Sequence, residues 1–312
     1  MDTRKFDITE DISGKRLDSF LSENIEGYSR TYIQKLIDDG LATVNGKKSK
    51  TSYKVKTGDL VDITIPDPVP LEVEAEKIDL DIVYEDNDII VINKPQGMVV
   101  HPAHGNYSGT AVNALLEHCG SLSDYNSLTG INGVMRPGIV HRIDKDTSGI
   151  IVIAKNNEAH LSLSEQLKNH TITRRYVALL EGKLKEESGR IETLIGRNPK
   201  DRKQMAVVRE NGKSAITHFK VIERFEANTM IEAALETGRT HQIRVHMAYI
   251  GHPVVGDTVY GYKRQRFETK GQLLHARILG FIHPTKGEYV EFEAPLPDYF
   301  EKILRSLRSK KL

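Results

Sequence analysis

Apolar positions recur at helical spacing over residues 14–40, with Leu17, Phe20 and Leu21 on one face and Ile33, Leu36 and Ile37 on a second. That spacing predicts two amphipathic helices, the second closed by Gly40 where a C-terminal glycine belongs. Asn-Gly at 45–46 lies between strand-like residues and signals a hairpin. The alternation of LVDITI over 60–65 completes a small sheet. From about residue 77 the pattern turns strand-rich. DIIVIN (88–93), GIIVIAK (149–155), RRYVALLEG (174–182) and AITHFKVIERF (215–225) read as strands bounded by Gly, Asn or Asp. Helices are expected at 109–118, 157–169 and 240–250; in the last, Ile243, Met247 and Ile250 align, and Gly251 and Pro253 end the element. A further helix with a basic tail is expected over 297–312. Strand and helix signals do not alternate regularly, so the fold class expected is α+β with a mixed sheet, not a doubly wound one.

Three prolines within five residues, at the start of PDPVPLEVEAE (66–76), block helix and break sheet ladders. They divide the chain into an expected domain over 1–66, a linker over 67–76 and a larger domain over 77–312. At 312 residues, 38% hydrophobic and 28% charged, the chain can bury a core, which excludes wholesale disorder. Lys plus Arg number 44 against 43 Asp plus Glu, so no basic coat covers the whole protein. Local patches are another matter. Residues 29–56 carry seven Lys or Arg against Asp38 and Asp39, the footprint of a polyanion binder, although a solvated Lys-rich face gives the same count. A second run, 196–213, carries Arg197, Lys200, Arg202, Lys203, Arg209 and Lys213 against Asp201 and Glu210. The single cysteine, Cys119, removes disulfide frameworks and multi-Cys zinc sites. No apolar run approaches the roughly 18 residues that span a bilayer. The first residues are rich in acids and lack an apolar stretch, so no signal peptide is expected, and the cytoplasm is the expected location.

The densest polar cluster between apolar runs is GIVHRIDKDTSGIIVIAK (138–155), the pattern of a loop held by a rigid scaffold. Asp144 and Asp146 stand there beside Arg142 and Lys145, and a nearby cation keeps a carboxylate anionic, as a nucleophile or base requires. The bland alternative is a turn whose Asp and Ser cap backbone groups, and spacing does not choose between the two aspartates. In ETGRTHQIRVH (236–246) a helix puts His241 and Arg244 on one face with Arg239 near its start. A guanidinium there binds a phosphate or a carboxylate, or forms an ordinary surface ion pair. His241 and His246 are five apart, wrong for two ligands on one face, and His101 and His104 lack a matched pair, so no metal site is expected. Neither GxGxxG, GxxxxGK[ST] nor GxSxG is present.

RPGIVHRIDKDTSG (136–149) resembles the signature of the RluA-type pseudouridine synthases, in which an H-R-[LI]-D core holds the catalytic aspartate. NKPQGMVVHPAHGNYSGTAVNALL (93–116), RRYVALLEG, LETGRTHQIRVHMAYIGHPVVGDTVYG (235–261) and LLHA (273–276) match further family segments in order. KRLDSFL, SRTYIQKLIDDGLATVNG and YKVKTGDLVDI resemble an S4-type RNA-binding module. The RNP and MAV stretch at 197–207 resembles the RluD branch, which modifies large-subunit ribosomal RNA. The resemblance implies a largely antiparallel catalytic sheet behind a small S4-like domain. It implies isomerisation of uridine to pseudouridine without cofactor by a monomer, with 23S ribosomal RNA as partner. It makes Asp144 the nucleophile, Arg244 its ion-pair partner and Tyr176 the ring that stacks on uracil. RNA binding falls to Arg142, Arg239, Arg30, Lys35, Lys47 and Lys48, while His141 orders the loop. Ile143 stands for the usual Leu, a volume-conserving change. Thr258 stands where Pro is commoner and touches no chemistry that the sequence names. The competing readings are a transfer-RNA isomerase, a non-catalytic ribosome-assembly factor and a glycosidase-like hydrolase. Asp144 and Asp146 are too close in sequence to flank a bond as the hydrolase requires.

Overall fold

A computed structural model describes residues 2–25, 28, 30–66, 73–102, 105–119, 138–201 and 204–309. Several sequence features lie outside these residues: His104, Arg136, Pro137, Arg202, Lys203, the proline stretch 67–72 and the basic tail 310–312. The described residues divide into two compact units, one up to residue 66 and one from Val73 onward.

The first unit contains β1 (Asp2–Asp7), α1 (Leu17–Asn24), α2 (Arg30–Asp38), β2 (Ala42–Val44), β3 (Lys47–Lys48) and β4 (Leu60–Ile65). Its antiparallel sheet has the order β1-β4-β2-β3. Strand β4 alternates as its sequence requires, burying Val61, Ile63 and Ile65 against Leu17, Phe20, Leu21, Ile33, Leu36 and Ile37 of the two helices. The turn between β2 and β3 needs two left-handed residues, and Asn45 (φ 52°) and Gly46 (φ 73°) supply them. Asp18, buried in α1, accepts from Arg16, Arg30, Gln34 and the Ser19 N–H.

The second unit adds β5 (Ile82–Glu85), β6 (Ile89–Lys94), α3 (Ala111–Cys119), β7 (Ser148–Ala154), α4 (Asn157–Lys168), β8 (Thr173–Glu181) and β9 (Ser188–Arg197). After these come β10 (Met205–Val208), β11 (Lys213–Arg224), β12 (Asn228–Leu235), α5 (Gln242–Tyr249), β13 (Leu274–Ile282), β14 (Tyr289–Glu293) and α6 (Asp298–Ser309). Ten strands form one mixed, largely antiparallel sheet, β10-β9-β11-β12-β8-β13-β7-β6-β5, with β14 on β13. The α+β class expected from the element order is therefore the one observed. Part of the stretch read as a linker is bound to this unit: Asn113 Nδ2 donates to the Glu74 carbonyl oxygen at 2.8 Å, and the Glu76 carboxylate accepts the Gly109 N–H.

Among the described residues, three apolar clusters pack on the sheet, a small one joining Ile195 of β9 and Ala215 of β11 to Val245 of α5. Of the larger two, one joins Ile150 and Val152 of β7 to Ala159 and Leu163 of α4, and the other joins Val177 and Leu179 of β8 to Phe300, Leu304 and Leu307 of α6. Strand β7 is buried along its whole length and pairs in parallel with β13 through His275–Ser148 and Ala276–Gly149. That contact joins the β5–β7 part of the sheet to the rest, and it requires Gly149. The residue sits at φ 118°, and a Cβ there would strike the Ala276 carbonyl oxygen and stand 2.6 Å from Ala276 N. Gly149→Ala combines backbone strain with overpacking, so it should lower stability by at least about 2 kcal/mol. Urea unfolding of the full chain followed by circular dichroism measures this, and an unchanged midpoint would contradict the argument.

Candidate active site

The loop that enters β7 is fixed from below. Lys94, at the end of β6, is fully buried, and its ammonium donates to the carbonyl oxygens of Pro95 (2.8 Å), Met98 (2.9 Å) and Lys145 (3.0 Å). Burial pushes Lys94 down to about 7, against the fields of Asp146 and Asp144. Three carbonyl acceptors require three N–H bonds, which only the ammonium form has. Gln96 Nε2 donates to the Asp146 carbonyl oxygen, and Thr147 N–H closes a turn onto the Asp144 carbonyl. On the other side His141 Nε2 accepts the Val152 N–H at 3.1 Å. Burial first, and the Arg174 charge second, push His141 down to about 3, so it is a neutral strut that ties the loop to β7. Buried Ile143 anchors the segment between them.

Asp144 projects from this loop with its side chain 21% exposed. Arg244 Nη1 donates to its Oδ2 at 2.9 Å, and His241 Nε2 lies 3.8 Å from its Oδ1. Sequence spacing left Asp144 and Asp146 equivalent; of these two, only Asp144 forms an ion pair with Arg244 among the described residues. The rest of the Arg244 fork goes to a residue the sequence did not single out. Asp257, fully buried, takes Nε at 2.6 Å and Nη2 at 2.9 Å, while its Oδ1 also accepts the N–H groups of Val259 and Tyr260. Burial acts against the Arg244 charge, yet the two carboxylates raise its pKa above the ordinary arginine value. Burial likewise opposes the Asp257 charge, and Arg244 holds that carboxyl below its usual range. The Tyr260 ring lies 5.1 Å from the guanidinium, and its hydroxyl contacts His241 Nδ1 at 2.8 Å and accepts the Met205 N–H.

Helix α5 starts at Gln242, not 240, because His241 adopts a left-handed conformation (φ 57°, ψ 21°). Gln242 Oε1 accepts from Arg239 N and Thr237 Oγ1, which fixes the turn before the helix. His241 and Arg244 still reach the same carboxylate. A non-glycine residue in this conformation costs free energy and often marks a functional turn. Burial lowers the His241 pKa.

Tyr176 lies on β8, 8% exposed, between Ala276 of β13 and Ala233 of β12. Burial raises the Tyr176 pKa, with the Arg174 charge opposing and Asp144 adding to the rise. Arg142 is exposed, and Arg239 donates Nε to the Ser214 carbonyl oxygen at 2.8 Å. In the first unit Lys35, Lys47 and Lys48 are exposed without an ion pair among the described residues. Arg30 differs from them: its Nε and Nη2 both donate to Asp18, so most of its fork serves the unit's own structure. The loop around Thr258, which the sequence connected with no chemistry, carries Asp257 and Tyr260 into the site. One cluster, Asp86, Asp88 and His283, brings possible metal ligands within 4.8 Å of one another. The Lys286 ammonium already lies 3.1 Å from Asp86 Oδ2, and Thr285 donates to Asp88, so protein groups satisfy it.

No helix among the described residues is long and apolar enough to cross a membrane. A family model described as RNA pseudouridylate synthase matches residues 88–249, and an S4 domain model matches residues 15–61. The chain is 53% identical to the uncharacterised RNA pseudouridine synthase YlyB of Bacillus subtilis (strain 168), over 97% of this chain and 98% of that one. It is 43% identical to the ribosomal large subunit pseudouridine synthase D of Zymomonas mobilis, over 98% of each. Among solved structures, human RNA pseudouridylate synthase domain containing 1 superposes with a TM-score of 0.57 at 28% identity, covering 74% of this chain and 95% of that one. With a matching sheet, the Asp144–Arg244 pair inside the matched region and relatives along its whole length, this chain belongs to the RNA pseudouridylate synthase family, and it is an isomerase with an S4 domain.

Proposed function

We propose that the enzyme isomerises uridines of large-subunit ribosomal RNA, 23S RNA in a bacterium, with Asp144 as the nucleophile. The reading rests on one observation: the Asp144 carboxylate is held at 2.9 Å by a guanidinium that a second carboxylate already neutralises. The reaction breaks the bond between the anomeric carbon and N1 and forms a bond from that carbon to C5. The C5 proton leaves and N1 gains one, so substrate and product are isomers and no redox partner is consumed. An anionic carboxylate suits attack on the anomeric carbon, attack on the pyrimidine ring, or proton removal from the sugar 2′ position. Arg244 orients the carboxylate through its 2.9 Å hydrogen bond. Tyr176 offers a ring for the uracil and a hydroxyl near the C5 proton.

A uridine must leave its stack to reach Asp144, at a cost of a few kcal/mol that is smallest in a loop. Contacts from Arg142 and Arg239, and from Lys35, Lys47 and Lys48 of the S4 unit, offset that cost on the RNA backbone. Arg30 contributes only what Asp18 leaves free. The relatives named ribosomal large subunit pseudouridine synthase D support the choice of RNA, and a bacterial enzyme acting on that RNA would work in the cytoplasm.

Tritium release from RNA labelled at uridine C5 should occur with the wild type and fall to background with Asp144→Asn. Large-subunit transcripts should react and transfer-RNA transcripts should not; the reverse would move the substrate to transfer RNA. Binding without release by the wild type would favour an assembly factor. Arg244→Lys, which loses the planar fork, should slow release by about 100-fold at unchanged RNA affinity. Asp257→Asn leaves the guanidinium charge to Asp144 alone and should slow it about tenfold; single-turnover rates equal to wild type in both variants would refute the pairing. Lys47→Gln with Lys48→Gln should lower the slope of log affinity against log salt by about 1.4, two single-strand phosphate contacts.

A further inference from the structure

Three lysine or arginine side chains are buried among the described residues: Lys94, Arg174 and Arg244. Lys94 is surrounded by three carbonyl oxygens, and Arg244 lies between two carboxylates. Arg174 has no comparable compensation. It is 9% exposed, Nη2 donates to the Glu236 carbonyl oxygen at a long 3.2 Å, and Nε is buried without a partner. No carboxylate pairs with it among the described residues. Burial lowers its pKa; the Tyr176 hydroxyl acts against that fall, and the guanidinium of Arg239 adds to it. Arg239 in turn rests only on backbone, with Nε on Ser214 O. A buried guanidinium with a second, partly exposed one acting on it, and no carboxylate paired with either among the described residues, is unfavourable unless an anion joins it.

The surroundings show where such an anion would come from. Arg174 and Tyr176 are two residues apart on β8, so they share a face of the sheet about 7 Å apart. Nη1 points toward the exposed backbone at Gly238, where a Cβ would stand 2.6 Å away. Gly238 is not in the left-handed region, so this glycine provides space and not conformational freedom. His141, beside Arg174, is held neutral, so it adds no charge of its own to the pair. We infer that Arg174 and Arg239, reached past Gly238, form a subsite for one phosphodiester of the RNA strand, within a nucleotide of the uridine over Tyr176. The guanidinium forks match phosphate oxygens, and the bound phosphate satisfies a charge the fold leaves open. This subsite rests on the isomerase reading given above.

Filter binding of a large-subunit ribosomal RNA transcript across a potassium chloride series tests it. Arg174→Gln and Arg239→Gln should each lower the slope of log affinity against log salt by about 0.7–0.9, and Arg174→Lys should keep the wild-type slope. Gly238→Ala should weaken binding severalfold with no change of charge, because its Cβ displaces Nη1. Wild-type slopes in both glutamine variants would overturn the subsite and leave Arg174 a packing residue. If Arg174→Gln does not fold, the partly exposed Arg239→Gln and Gly238→Ala decide: wild-type binding in both refutes the inference. Tritium release separates the two readings. Slope losses without release by the wild type would sink the isomerase and keep the subsite, while release with unchanged slopes would sink the subsite alone.

Discussion

Arg244 is shared by two carboxylates, and the geometry of the site follows from that sharing. Burying a lone guanidinium costs several kcal/mol, and one exposed partner would not offset it. Asp257 takes two of its nitrogens from a fully buried position, leaving the third for Asp144 at the surface of the cleft. Of the three groups, Asp144 is the one left partly exposed. Asp257 is itself held by two backbone N–H groups of its own turn, so the direction of the Arg244 fork is set by main chain and not by solvent.

The same logic extends outward through the sheet. The Asp144 loop is bracketed by Lys94 and His141, and it leads into the one parallel strand pairing among the described residues. Asp144, Tyr176 and Arg244 come from three distant stretches, on the loop before β7, on β8 and on α5. Their separation is fixed because β7, β13 and β8 are hydrogen-bonded neighbours. Placing reacting groups on paired strands and a short helix fixes them better than placing them on long loops would.

How much of this could be read from residues alone varies with the kind of signal. Helices α1 and α2 and strand β4 were legible because a one-sided core forces periodicity. Strand β1 was not: DTRKFD is an exposed edge strand, and only its pairing with β4 makes it a strand. Strands β9 and β13 escaped because charged or small residues interrupt their apolar runs. Asp144, Tyr176 and Arg244 were found through a resemblance, since spacing alone left two aspartates equal. Asp257 was missed because its role exists only in three dimensions, thirteen residues along the chain from the arginine it serves. Arg30 was counted as a free cation because a sequence does not show that Asp18 waits one helix earlier.

Lys94 shows how a chemically suggestive residue can be kept inert. A buried amine of lowered pKa, near two aspartates, has the attributes of a proton acceptor or an amine poised for a carbonyl electrophile. Every one of its N–H bonds is directed at a main-chain oxygen, so the nitrogen has no lone pair to offer while those contacts hold. Lys94 therefore serves the Asp144 loop as a three-way tether, and its reactivity is spent on holding main chain in place.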